Sequence, residues 1–293
     1  MFAGCGTALV TPFRRDQSLD EDALRRLVKR QIEAGIHFLV PCGTTGESPT
    51  LTRKEHLRVV EITLEQAKPA EKPVLAGAGG YNTAEVIELA KELEAMGVDG
   101  LLSVTPYYNK PSQEGLYQHY KAIAGATKLP IVVYSVQGRT GINVEPATLM
   151  RLAQIDNIVG VKEASGNIGQ IANIAAQMPK GFRLMSGDDA VTLPVIALGG
   201  CGIISVASNE IPAEMAQLAD TARRYDFGAA QEIQKKYLPL MEANFVESNP
   251  IPVKWALAKM GLIEPVYRLP LVPPLPAGQA RIERVLRDLG LVA

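Results

Sequence analysis

A lysine ends a short apolar run near the middle of the chain, within the stretch NIVGVKEASG at residues 157–166. The small and β-branched residues before Lys162, and the turn-forming residues after it, predict a buried parallel strand whose last side chain is an amine. Burial disfavours the protonated form of an amine, and a neutral amine can attack a carbonyl carbon. For this lysine taken alone, the alternative is a side chain that extends from the strand end into solvent.

Groups suited to acid–base chemistry and to carboxylate binding follow several other predicted strands. They are the turn at residues 43–48, the loop 105–112 with two adjacent tyrosines, Tyr134, the segment 138–141 with Arg139, and the segment 186–189. Separately, each could be a capped turn or a packing group. Together with Lys162 they suit a Schiff-base reaction on a carboxylated carbonyl compound. In such a reaction the protonated imine withdraws electrons, so we expect neither a metal nor an organic cofactor.

The elements that must position these groups are eight short apolar runs that alternate with amphipathic stretches. We predict strands at residues 6–10, 38–41, 74–78, 100–104, 131–135, 158–162, 183–186 and 202–206. Predicted helices between them cover residues 22–34, 53–67, 83–96, 114–126, 145–154, 168–178 and 189–198. Eight strand–helix units over roughly 220 residues fit an α/β fold, the (β/α)8 TIM barrel, in which catalytic groups lie at the carboxyl ends of the strands. A doubly wound open sheet is disfavoured because no G-x-G-x-x-G follows the first strand.

Strand patterns cease after Pro212, and only helical patterns follow, at residues 215–224, 229–243, 252–260 and 279–289. We therefore predict a barrel over residues 1–225 and a C-terminal helical extension, residues 226–293, that packs on it. At the start of the first helix, Ser18 precedes Glu21 by three residues. This spacing predicts a capping box.

Composition and charge limit the classes of protein that the chain could be. Its 293 residues carry a formal net charge of −1, which gives no electrostatic attraction to nucleic acid or to an anionic membrane. No apolar run reaches the roughly 18 residues of a membrane span, and the first residues lack a signal-peptide pattern. The three cysteines lie far apart, which disfavours disulfides and favours the reducing cytoplasm. The three histidines lack metal-binding spacing, so we expect packing or surface roles for them and no metal site.

Five motifs together resemble the pyruvate-dependent class I aldolases, the family that includes N-acetylneuraminate lyase, and within it the dihydrodipicolinate synthase branch. The motifs are GTTGES at residues 43–48, TPYYNKPSQEGLYQHY at 105–120, GVKEASG at 160–166, SGDD at 186–189 and FVESNPIPVKWA at 245–256. The similarity covers almost the whole chain. It implies an enzyme that condenses pyruvate with L-aspartate 4-semialdehyde, the entry step of the diaminopimelate route to lysine, and a homo-oligomer, a tetramer built from dimers.

The resemblance also implies catalytic roles. Lys162 would form the Schiff base with pyruvate, and Tyr134 would be the acid–base group beside it. Thr44 and Tyr108 would complete a proton relay to solvent, with Tyr108 reaching into the site of the neighbouring subunit.

Substrate-binding roles follow from the same resemblance. Thr45 would hold the carboxylate of pyruvate, and Arg139 would bind the carboxylate of L-aspartate 4-semialdehyde. Gly187 and Ile204 would shape the floor of the site around the lysine.

One stretch departs from the family pattern, because the usual YNVPGRT is replaced here by YSVQGRT at residues 134–140. Replacing proline by Gln137 frees a backbone N–H and relaxes φ, which bears on the position of Arg139. Two alternatives therefore stay open. One is a related Schiff-base aldolase that acts on pyruvate and another aldehyde, or on a 2-keto-3-deoxy acid. The other is a keto-acid-binding protein without catalytic activity, against which the joint presence of the lysine and the hydroxyl groups argues.

In regulated relatives, lysine binds in a cleft at the dimer interface. The matching positions here are Ser48, His56, Tyr81, Glu85 and Tyr107, with Arg53 nearby. Tyr81 replaces an asparagine that binds the effector's carboxylate, and Arg53 replaces a histidine. The phenol removes two hydrogen-bond donors, and the guanidinium brings a positive charge towards the amines of lysine. We therefore expect weak or absent inhibition by lysine, unless Arg53 itself binds the effector's carboxylate.

Overall fold

Eight parallel strands form the centre of the protein, which a computed structural model describes over residues 1–293. The strands are β1 (Gly4–Ala8), β2 (Phe38–Val40), β3 (Leu75–Gly77), β4 (Gly100–Val104), β5 (Ile131–Ser135), β6 (Ile158–Glu163), β7 (Arg183–Ser186) and β8 (Gly202–Ser205). Their order in the sheet is β2-β1-β8-β7-β6-β5-β4-β3. A parallel bridge between Leu39 and Val74 brings the two edges together. The predicted (β/α)8 barrel is therefore confirmed.

Helices follow the strands and cover the outside of the barrel. They are α1 (Glu21–Glu33), α2 (Arg53–Ala67), α3 (Thr83–Met96), α4 (Gln113–Ala126), α5 (Gln137–Thr140), α6 (Pro146–Leu152), α7 (Ile168–Gln177), α8 (Thr192–Ala197), α9 (Pro212–Arg223), α10 (Phe227–Ala243), α11 (Ile251–Lys259) and α12 (Pro276–Asp288). None of them combines the length and the apolar character that a membrane crossing requires.

Alternation along the strands separates two apolar layers. On β5, Val132 and Tyr134 lie in a cluster inside the barrel together with Met185 of β7. Ile131 and Val133 of the same strand belong to the larger cluster between the strands and the helices. This is the period-two pattern expected of a strand covered on both faces.

The predicted start of the chain was wrong in two details. The first strand lies two residues earlier than expected: Leu9 N still donates to Val40 O of β2, but Val10 N donates to the side chain of Asn209 instead of to a strand. The expected capping box of α1 does not form. Asp20 caps the helix by accepting from Ala23 N, while the Ser18 hydroxyl donates to Asp16. Helix α1 thus begins too late for Ser18 to reach it.

The helices after the barrel pack against it. Leu240 and Met241 of α10 and Leu286 of α12 belong to the same buried cluster as the residues between the strands and the outer helices. Helix α9 still follows the strand–helix order, since it comes after β8 and contacts β1. The predicted division at residue 225 falls in the connection between α9 and α10.

Candidate active site

Lys162 and Tyr134 lie side by side on neighbouring strands at the carboxyl end of the barrel. In the parallel pairing of β5 and β6, Tyr134 is the register partner of Lys162, so both side chains point to the same face. That face is the interior, because Tyr134 packs with Met185 of β7, the register partner of Lys162 on its other side. Lys162 is 5% exposed, and its Nζ lies 4.2 Å from the centre of the Tyr134 ring. The expected strand-end lysine is therefore buried beside an aromatic hydroxyl.

A glycine makes room for the lysine. A β-carbon on Gly187, which follows β7, would lie 3.2 Å from Lys162 Cε and 2.6 Å from the β-carbon of Ala164. A distance of 2.6 Å between two non-bonded carbon atoms is too short for van der Waals contact. Only glycine at this position leaves the lysine stem and the Ala164 backbone where they are.

A cavity of about 110 Å³ opens above the amine. It brings together five of the predicted site residues, Thr45, Tyr134, Arg139, Lys162 and Gly187. Asp188, Phe245 and Asn249 complete much of its wall. Since a cavity needs only about 10–15 Å³ of such space to hold one water, this one has room for a small organic molecule.

The turn at residues 43–48 presents free hydrogen-bond donors. Gly46 N and Glu47 N donate within the turn, to Gly43 O and Thr44 O, whereas Thr44 N and Thr45 N donate to no protein acceptor. The Thr45 hydroxyl oxygen accepts from Asn249 Nδ2 at 3.0 Å, which leaves its own O–H free to donate. Clustered N–H and O–H donors of this kind bind a carboxylate.

Arg139 belongs to α5 and lines the wall of the site. Its Nη2 donates to Asn249 O at 2.8 Å. Gln137 is the first residue of this short helix, a position where proline is also favoured because the N–H there has no intrahelical partner. Arg139 N and Thr140 N both donate to Val136 O, so the turn that carries the arginine is closed without proline. The departure from the family pattern leaves this helical turn intact.

A second cavity, of about 270 Å³, meets the first at Val136 and Arg139, which line both. Thr44, Ser48, His56 and Tyr107 line it as well. Thr44 thus borders the larger cavity, next to Thr45, which lines the smaller one.

The remaining effector positions lie outside this cavity. Tyr81 packs edge-to-face on Tyr107, with ring centres 5.1 Å apart, and Glu85 accepts from Asn82. Arg53 Nε donates to Glu92 at 2.9 Å. The charge of Arg53 is therefore compensated by a carboxylate, which weakens the repulsion that the sequence argument assigned to it.

Two of the predicted catalytic and substrate-binding residues line neither cavity. Tyr108 is 90% exposed and adopts a left-handed backbone conformation with φ of 65° in the loop between β4 and α4. Ile204 is fully buried with Met185 and Tyr134 in the barrel interior, below the cavity that contains Lys162. Tyr108 does not line the site of its own chain in this position, and Ile204 packs beside Tyr134 in the barrel interior.

The histidines have packing positions. His56 is buried and its Nε2 lies 3.0 Å from Gly77 O, while His119 Nδ1 lies 2.8 Å from the hydroxyl of Thr83. Burial lowers the pKa of each imidazole to about 4, so both are neutral at physiological pH. His37 is bound between Cys5 N and Asp220 at the opposite end of the barrel.

Sequence reasoning missed Asn249. Its motif was recognised by resemblance, yet no role was assigned to the side chain that contacts Thr45 and whose backbone oxygen binds Arg139. Asn249 lines the smaller cavity, and its Oδ1 is buried without a hydrogen-bond partner. The signal available in sequence was an amide directly before a proline in a long motif, a common way of ending a segment at a turn.

Comparison with known proteins gives consistent matches over the full chain. The profile of the Dihydrodipicolinate synthetase family matches residues 1–289. A 4-hydroxy-tetrahydrodipicolinate synthase of Koribacter versatilis is 53% identical over 290 residues, which cover 99% of this chain and 96% of the relative. A crystal structure of dihydrodipicolinate synthase from Thermotoga maritima is 46% identical, with a TM-score of 0.97 over 100% of both chains. The Acinetobacter baumannii dihydrodipicolinate synthase, solved complexed with pyruvate, is 41% identical, with a TM-score of 0.98 over 100% of both chains.

These matches extend over the barrel and the C-terminal helices alike, so they concern the whole architecture and not the barrel alone. They also agree with the motifs that surround the lysine. The chain therefore belongs to the dihydrodipicolinate synthetase family.

Proposed function

We propose that this enzyme condenses pyruvate with L-aspartate 4-semialdehyde through a Schiff base on Lys162 and forms 4-hydroxy-tetrahydrodipicolinate, the first step of the diaminopimelate route to lysine. The observation that carries the proposal is the placement of a buried amine next to Tyr134, in a small cavity that is also lined by Thr45, whose N–H and O–H are free to donate. The name shared by close relatives over nearly the full chain supports the same reaction.

The chemistry begins with pyruvate. Its carboxylate binds the donors of Thr44 and Thr45, which directs its carbonyl carbon towards Lys162 Nζ. Attack by the neutral amine gives a carbinolamine, and loss of water gives the protonated imine. The imine accepts electron density when a proton leaves the methyl carbon, so an enamine forms.

Tyr134 is suited to these proton transfers because its ring lies against the amine. A hydroxyl at this position can protonate the departing water and later deprotonate the methyl group. Thr44 continues the path into the larger cavity. We assign the outer end of the relay to Tyr108 of a second subunit, since this residue is 90% exposed at the tip of its loop.

The second substrate enters beside Arg139. The guanidinium binds its carboxylate, and the enamine carbon adds to the aldehyde to form a carbon–carbon bond. The amino group of the semialdehyde then attacks the imine carbon and displaces Lys162 Nζ. Ring closure by this exchange releases the product and restores the free amine.

The assembly and location follow from the same proposal. Because Tyr108 needs a partner's site, we propose a dimer as the smallest complete unit and a tetramer of two such dimers. We place the enzyme in the cytoplasm, where the free thiols of Cys5, Cys42 and Cys201 stay reduced.

Trapping with borohydride tests the proposal directly. Incubation with pyruvate and borohydride is expected to fix one adduct on the peptide that contains Lys162, as read by mass spectrometry. Lys162→Ala is expected to lose both the adduct and nearly all turnover while remaining folded. An adduct on another lysine, or turnover without any adduct, would refute the assignment. A coupled assay with pyruvate and a panel of aldehydes then distinguishes the semialdehyde from other second substrates.

A further inference from the structure

An ion pair lies in the interior between the C-terminal extension and the turn that binds carboxylate. Lys254 Nζ of α11 is 2.5 Å from Glu47 Oε1, and both side chains are fully buried. Glu47 follows Thr45 by two residues, whereas Lys254 lies 207 residues further along the chain. The pair therefore joins the pyruvate-binding turn to an element outside the barrel.

Stability alone gives little reason for such a pair. Burial raises the pKa of the Glu47 carboxyl, although the positive charge of Lys254 acts in the opposite direction. Burial likewise lowers the pKa of the Lys254 amine, although the negative charge of Glu47 opposes this. Removing two charges from water offsets much of their attraction, so an apolar pair of similar volume is often at least as stable. What an ion pair adds is a fixed direction and distance.

The surroundings hold the lysine in one place. Lys254 Nζ lies 4.4 Å from the centre of the Phe13 ring and 5.3 Å from that of Tyr267. The Tyr267 hydroxyl donates to Ile251 O at 3.0 Å, at the start of α11. Contacts between an ammonium and aromatic faces are attractive, and they are stronger where water is excluded.

The turn at the other end needs such a restraint. Glu47 has φ of 54°, in the left-handed region that residues with a β-carbon seldom adopt. The preceding Gly46 O accepts from the Thr11 hydroxyl at 2.7 Å. Besides the hydrogen bonds within the turn, two contacts from elsewhere in the chain hold this conformation: Lys254 binds the Glu47 carboxylate, and Thr11 binds the backbone one residue before it.

We infer that the Lys254–Glu47 pair is a positioning device that keeps the turn at residues 43–48 in the conformation that binds the carboxylate of pyruvate. Neither residue lines the cavity above Lys162, so both act through Thr44 and Thr45. The inference rests on the proposed function. It also gives a role to the motif at residues 245–256, whose Asn249 contacts the same turn.

The test replaces the pair by neutral groups of similar size, in the Glu47→Gln/Lys254→Met double variant. We expect it to fold, to bind pyruvate with a Michaelis constant raised about 10- to 100-fold, and to keep the Michaelis constant for the aldehyde within about threefold. At saturating pyruvate the borohydride adduct on Lys162 is still expected. Amide exchange in the peptide that contains residues 43–48 is expected to become faster.

The matched control is Lys259→Met on the same helix. It also removes an ion pair, with Glu283, but this lysine side chain is 41% exposed. It is expected to change neither the pyruvate constant nor amide exchange. If the double variant does not fold, Glu47→Asp carries the test: it keeps both charges but draws the carboxylate back by one methylene group, and the Michaelis constant for pyruvate is expected to rise about threefold.

A folded variant with an unchanged pyruvate constant and unchanged exchange would show that the pair only stabilises the fold, and would overturn the inference. Absence of any pyruvate adduct in the unaltered protein would instead overturn the proposed function, and the inference with it.

Discussion

Gly187 leaves the space that the stem of Lys162 occupies: a β-carbon at residue 187 would lie 3.2 Å from Lys162 Cε. The same β-carbon would lie 3.1 Å from Glu163 O and 2.6 Å from the β-carbon of Ala164, so the backbone after β7 lies directly against the end of β6. Glycine at residue 187 therefore permits the close approach of the two strand ends beside the lysine stem.

Gly187→Ala tests this relationship. The added methyl group would press on Ala164 and on the lysine stem, and such overpacking typically destabilises a protein by about 1–3 kcal/mol. A shift of the amine by a fraction of an ångström is expected to slow formation of the pyruvate adduct about 10- to 100-fold, measured by timed borohydride trapping. Gly125→Ala is the control, because a β-carbon there meets no atom within 4 Å. Adduct formation at the unaltered rate in Gly187→Ala would mean that the strand ends can separate freely.

Arg139→Ala addresses the second substrate. We expect the Michaelis constant for L-aspartate 4-semialdehyde to rise about 100-fold, because a charged hydrogen bond to its carboxylate is lost, while that for pyruvate changes little. Arg139 also donates to Asn249 O, so Arg139→Lys serves as the comparison that retains a charge but not the planar fork. Equal increases in both constants in steady-state assays would assign the arginine to holding Asn249 and not to the substrate.

The barrel could be predicted from sequence because each strand is an apolar run and each outer helix has one apolar face. Lys162, Tyr134 and Arg139 could be located for the same reason, since residues at successive strand ends must meet at one rim. The contact between Asn249 and Thr45 could not be predicted from sequence. The two residues are 204 positions apart, and no periodic pattern relates an irregular segment to the barrel rim. The four-residue helix α5 is likewise too short to show a period.

Tyr108 is expected to work in a neighbouring subunit. Tyr108→Phe should lower turnover strongly, since loss of a proton-transfer group typically reduces the rate about 100- to 10,000-fold. Lys162→Ala should remove nearly all turnover, because the amine that forms the Schiff base is lost. Mixing the two variants under conditions of subunit exchange is expected to restore part of the activity, because a mixed dimer contains one site with both residues intact. The activity of the mixture is compared with that of each variant alone, after exchange has been proved by mass spectrometry of tagged chains. Proven exchange without recovery would contradict a shared site.

Inhibition by lysine is expected to be weak or absent. The ring of Tyr81 packs edge-to-face on that of Tyr107. Its phenol also lacks the two N–H donors of the asparagine amide found in regulated relatives. Because Arg53 is bound to Glu92, the missing amide, more than the extra charge, accounts for this expectation. Turnover at saturating pyruvate is measured while lysine is titrated, with Tyr81→Asn as the comparison that is expected to become more sensitive. Clear inhibition of the unaltered enzyme by sub-millimolar lysine would show that the cleft binds it without the amide.

The contribution of the two buried histidines to stability is expected to fall on acidification. Burial lowers the pKa of His56 to about 4, whereas an unfolded histidine titrates at about 6.5, so between these values the unfolded chain binds more protons than the folded one. The free energy of unfolding should therefore be unaffected by this group above pH 6.5 and decrease as the pH falls towards 4. The slope from one such group is at most about 1.4 kcal/mol per pH unit. His56→Gln should reduce the slope measured by urea unfolding at fixed protein concentration, and adding His119→Asn should reduce it again, since burial lowers that pKa to about 4 as well. Parallel curves for all three proteins would mean that neither imidazole resists protonation in the folded state.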